Sequence, residues 1–86
     1  MDDLKIIYER ISFLRQKGVK MKDMAEKAQV ASSVFSALYS TVLPTYLKHV
    51  KEGMDSQEAL DEALVWVNNV SKKKLLGTMG AIKEAL

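Results

Sequence analysis

Asp55, Glu58, Asp61 and Glu62 place four carboxylates within eight residues, and the only imidazole, His49, stands close to Lys48 and Lys51. Clustered carboxylates can share protons for acid–base work. The same spacing is what the helix dipole favours at the start of a helix, which accounts for these acids without chemistry. One histidine cannot assemble a metal site, and its lysine neighbours mark a solvated surface position. The chain has no cysteine, so thiolate ligands, disulfides and a cysteine nucleophile are excluded. Gly-rich phosphate loops, HExxH and GxSxG strings are absent as well. The expectation is a protein that is not an enzyme, with no metal, no cofactor and no evident small-molecule substrate.

The remaining polar chemistry is suited to a polyanion. Residues 1 to 27 carry Lys5, Arg10, Arg15, Lys17, Lys20, Lys22 and Lys27 against five acids, although the whole chain has a net charge of only +2. Beyond them lies AQVASSVFSALYSTVLPTYL, residues 28 to 47, without one charged side chain. Its length matches a membrane span, but Gln29, five hydroxyl residues up to Ser40 and Thr41, Thr45 and Pro44 interrupt any lipid-facing surface. The run is therefore soluble structure. The opening MDDLKIIYER is acidic before it is basic and has no signal-peptide pattern. No membrane association is expected, and the default location is cytoplasmic, or nuclear where a nucleus exists.

Positioning these groups requires helices. At about 100° per residue, Leu4, Ile7, Tyr8, Ile11 and Leu14 share one face of a helix over 3–17 that stops at Gly18. Ile6 and Phe13 fall on its opposite side, so this helix needs a second cover, either a later helix or another subunit. MKDMAEKA predicts a short helix over 21–28 with Met21, Met24, Ala25 and Ala28 inward and a poor cap at Lys20. A third helix over about 32–41 places Val34, Phe35, Leu38, Tyr39 and Val42 in a sector of about 140°, with Ser33, Ser36 and Ser40 on the far side. Pro44 is suited to the first turn of a fourth helix reaching Gly53. Asp55 and Glu58 have capping-box spacing for a fifth helix to about Val70, with Ala59, Leu60, Ala63, Leu64, Trp66, Val67 and Val70 inward. Ser71 caps a sixth, in which Leu75, Met79, Ile82 and Leu86 form a short heptad-like seam suited to packing across the first helix. No strand alternation, repeat or linker is visible. The expected fold is all-α, a bundle of five to six helices forming one domain over 1–86. The uncapped seam at the end suggests the N-terminal piece of something longer.

MKDMAEKAQVASSVFSALYS resembles the helix-turn-helix of the phage-repressor and Cro-like family. With Met21 as the first motif position, Met24 supplies the apolar fourth and Ala25 the small fifth. Ala28, Val30, Phe35 and Leu38 supply the apolar or small eighth, tenth, fifteenth and eighteenth positions. The resemblance covers about residues 4–53, leaving 55–86 as closing or dimerising helices, and implies a lambda-repressor-like fold. It departs at the ninth position, glycine in the family and Gln29 here.

What the resemblance implies is a DNA-binding transcriptional regulator with a recognition helix at about 32–41 in the major groove of double-stranded DNA. Ser32, Ser33, Ser36 and Ser40 would face the bases, and Lys20, Lys22 and Lys27 the phosphates. A possible homodimer would be the usual arrangement. No serine can make the bidentate contacts of arginine to guanine or glutamine to adenine, so sequence specificity should be weak. The serine-rich face equally suits a protein-interaction module on a helix-turn-helix scaffold that does not bind DNA.

Overall fold

The computed structural model describes residues 3–65 and 72–86, and among them every regular element is helical. The order is α1 (Asp3–Gln16), α2 (Met21–Lys27), α3 (Ser32–Ala37), a π-helical turn (Leu38–Val42), α4 (Leu43–Lys51), α5 (Ser56–Leu64) and α6 (Lys72–Ala85). The chain is all-α, as its periodicity predicts.

Three of these helices end in the same way. After α1, Val19 N–H donates to Leu14 O and Gly18 N–H to Arg15 O. After α4, Met54 N–H donates to His49 O and Gly53 N–H to Val50 O. After α2, Val30 N–H donates to Ala25 O and Gln29 N–H to Glu26 O. Each pair is a Schellman cap, which needs one residue in the left-handed region to turn the chain back on its own carbonyls. Gly18 and Gly53 adopt it at φ 90° and 98°, and Gln29 adopts it at φ 58° despite its side chain. Helix starts are less well served. Lys20 offers α2 no side-chain cap, whereas the Asp55 carboxylate accepts from Gln57 N–H at 3.1 Å and opens α5.

The structure corrects the expected break before Pro44. From Ser32 to Lys51 the chain is one helix, about 30 Å long at 1.5 Å per residue. Phe35, Leu38 and Val42 define its apolar stripe in the first half, and Leu43 and Tyr46 in the second. At about 100° per residue all five fall within a sector of about 140°, with Leu43 at its edge. A π turn takes up one extra residue and brings Leu43 closer to the middle, and Val42 and Leu43 are both fully buried. Leu43 N–H accordingly donates to Leu38 O, five residues back. The same widening suits Pro44, which has no N–H to give and whose ring would press on the carbonyl four residues earlier in a regular α-helix.

Ile7 and Ile11 of α1, Met24, Ala25 and Ala28 around α2, the long helix, Ala59, Leu60 and Ala63 of α5, and Leu75, Met79 and Ile82 of α6 form one apolar cluster. α2 packs on α3, α4 on α1 and α5, and α6 on α1. The seam of α6 thus covers α1 as expected, with Leu86 half-buried. Leu4, Tyr8, Leu14, Met21, Val34, Tyr39 and Leu64 line the cluster's edge rather than its centre. The side chain of His49 is only 27% exposed and lies 3.6 Å from the Glu52 carboxylate, so it is less solvated than its neighbours suggest. α5 ends at Leu64, and the expected inward positions Trp66, Val67 and Val70 and the cap Ser71 lie outside the described residues. No single helix among the described residues is long and apolar enough to cross a membrane. α2 and the long helix together reach that composition, but the long helix spends its apolar face on the chain's own core.

Two stability measurements check this frame by urea denaturation. Leu38 is fully buried, so Leu38→Ala should lose about 2–5 kcal/mol, and a loss within error would remove it from the core. Gln29→Gly should leave stability unchanged or raise it by up to about 1 kcal/mol, because glycine has no left-handed penalty. Gln29→Val should destabilise, since β-branching is poorly tolerated at positive φ. Equal losses from both changes would contradict the turn geometry.

Candidate nucleic-acid interface

The turn at Gln29 decides what the next helix presents. Ala28 is buried, Gln29 exposed and Val30 half-buried, and the path between α2 and the long helix bends by 116°. Helix pairs that project one helix outward cross at about 90–120°. Val30 closes the turn over Ala25, whose full burial leaves no room for a larger side chain between the two helices. Ala31 begins α3 without a side-chain cap, and Phe35 N–H donates to its carbonyl at 3.0 Å. The first turn of the long helix is consequently open to solvent.

Ala31, Ser32, Ser33 and Ser40 are exposed. Ser36 is half-buried rather than exposed, which corrects the expectation that the three far-side serines share one environment. Tyr39 stacks on Tyr8 of α1 with ring centroids 5.0 Å apart and planes 21° apart, and its hydroxyl lies 2.9 Å from Ser12 Oγ. The Arg15 guanidinium covers the same ring, 5.6 Å from its centroid. α1 therefore crowds one flank of the serine face and brings a cation to it.

Arg15 is the group sequence reasoning missed. Tyr8, Ser12 and Arg15 recur at spacings of four and three, which is the signal for one helical flank. Nothing in the sequence alone pairs that flank with Tyr39. Its consequence is chemical, because an arginine can make the bidentate contacts to phosphate or guanine that serines cannot.

Lys20, Lys22 and Lys27 are all exposed, but they do not form one cluster. Around α2, Lys22 and Lys27 stand about 140° apart, with Asp23 and Glu26 between them. Lys20 lies in the extended residue before the helix. The lysines can therefore meet separate phosphates and not a single one. From Lys27 to Lys51 there is no acidic residue, and with the extra residue of the π turn counted, Lys48 and Lys51 fall on the serine side of the long helix. This side offers hydroxyls that donate and accept, flanked by cations, with no carboxylate to repel an anion.

Among the described residues no group of three or more His, Asp or Glu side chains could hold a metal ion. A groove of about 640 Å³ lies between α1 and α6, away from the serine face.

Compared with family models, with curated proteins and with solved structures, the chain finds no match.

Proposed function

We propose that the protein is a DNA-binding regulator of the helix-turn-helix type, with the first turns of the long helix entering the major groove. The observation that carries this proposal is the sharp bend at Gln29, which leaves an acid-free helix face standing clear of the core. Ser32, Ser33 and Ser40, with the edge of Ser36, would approach the bases. Short side chains let the backbone come close, at the expense of strong base readout. Lys20, Lys22, Lys27 and Arg15 would contact phosphates, so affinity should come mainly from charge and only weakly from sequence.

A second partner class has its own support. No side chain on the exposed serine face before Pro44 is longer than threonine, a composition that would also let a protein helix pack closely. On that alternative the domain is an interaction module without DNA binding.

Fluorescence anisotropy with random duplex DNA across a salt series separates the two. Lys22→Ala should weaken binding to all sequences alike and flatten the slope of log K against log salt by about one unit, the signature of one lost phosphate contact. Arg15→Ala should act in the same way. Ser33→Ala should cost only about 1 kcal/mol and alter preference at one base step without changing the slope. If all three variants leave affinity and slope as they were, while Ser33→Arg abolishes binding to a protein partner, the serine face is a protein-binding surface.

A further inference from the structure

Tyr8 and Arg15 leave α1 two turns apart, about 10.5 Å along its axis and on nearly the same side. Tyr39 fills that gap. Its ring centroid lies 5.0 Å from that of Tyr8 and 5.6 Å from the guanidinium carbon of Arg15. The two distances together match the gap, so the ring is held between both side chains. Ser12 stands between Tyr8 and Arg15 on α1, and the 2.9 Å contact of its Oγ with the Tyr39 hydroxyl fixes the ring's rotation in its own plane. The π turn supports this arrangement. Tyr39 is its second residue, and the turn sets the phase of α4, which packs on α1.

The stack leaves the hydrogen bonds of Arg15 unused. A cation over a ring is attracted through the ring's face, which consumes none of the five N–H donors of a guanidinium. Arg15 is exposed, and among the described residues no carboxylate or carbonyl takes those donors. A surface arginine ordinarily loses rotamer freedom when it binds, and that loss weakens the contact. Here the ordering is done on folding. We infer that Tyr39 is a positioning residue, which pre-stacks Arg15 so that its guanidinium meets a backbone phosphate of the duplex with two parallel N–H donors. The inference rests on the DNA-binding reading. It gives Tyr39 a part that the apolar stripe does not require, because Tyr39 is half-buried and its hydroxyl ends against Ser12 and not in the core.

Anisotropy titrations of the whole chain with a random duplex across a salt series test the inference, accompanied by circular dichroism melts. Arg15→Ala should raise the dissociation constant about tenfold, as for one lost hydrogen-bonded charge contact. Tyr39→Leu should raise it about fivefold with Arg15 still present, since the cation is then free to move. The double variant should exceed Arg15→Ala by no more than about twofold, because residues that act as one unit do not add. Tyr39→Phe keeps the ring and should bind within about twofold of the unaltered chain. Arg15→Lys keeps the charge but not the fork, so binding should weaken about threefold at an unchanged salt slope.

Independent effects that multiply to about fiftyfold in the double variant would overturn the inference and leave the DNA-binding reading intact. So would Tyr39→Leu binding as tightly as the unaltered chain while Arg15→Ala does not. If Tyr39→Leu melts too low to titrate, Arg15→Lys decides, and affinity equal to that of the unaltered chain overturns the positioning role. No binding by the unaltered chain at the lowest salt overturns both the reading and the inference.

Discussion

Phe35, Leu38, Val42, Leu43 and Tyr46 must all reach one core from a single helix, and the rest of the structure depends on how that is achieved. At about 100° per residue they span a sector of about 140°, with Leu43 at its edge. Burying each side chain is worth about 1.5–3 kcal/mol. The π turn brings Leu43 towards the middle of that sector, and Pro44, which could not continue a regular ladder, sits where the ladder has already been altered. α1, α2 and α5 close on this apolar side, and α6 closes on α1.

What is left over is as informative as what is buried. The long helix keeps a face of hydroxyls and distant lysines with no acid, and α1 keeps Ile6 and Phe13. α1 lies between these two surfaces. One flank holds Tyr39 through a stacked ring and a hydroxyl contact and carries Arg15 to the serine face, while the other opens onto the α6 groove. A change in the register of α1 would therefore be felt at both surfaces.

Much of this was legible in residue types. Apolar spacing gave the helices, Gly18 and Gly53 gave two helix ends, and Asp55 gave a cap, because each acts through local geometry that the sequence displays directly. Pro44 stands in the first turn of α4 as expected, but a proline at the head of a separate helix and one just after a π turn leave the same local trace, so the continuity of Ser32–Lys51 was not legible. Gln29 is the harder case, because the resemblance marks the ninth motif position as a left-handed turn and Gln29 takes that conformation at φ 58° without being glycine. Arg15 could not be placed from spacing at all. Its environment depends on the stacking of Tyr8 on Tyr39, a contact between residues 31 positions apart.

The central claim is that the face cleared by the bend at Gln29 meets nucleic acid. Amide chemical-shift mapping of the whole chain during titration with a short random duplex tests it most directly. The largest changes should fall on Gln29 to Ser40, with smaller ones at Arg15, Lys20 and Lys22, and should fade as salt is added. α5 and the α1–α6 groove should stay unchanged. Shifts centred on α5 or α6, or none at the lowest salt, would contradict the claim.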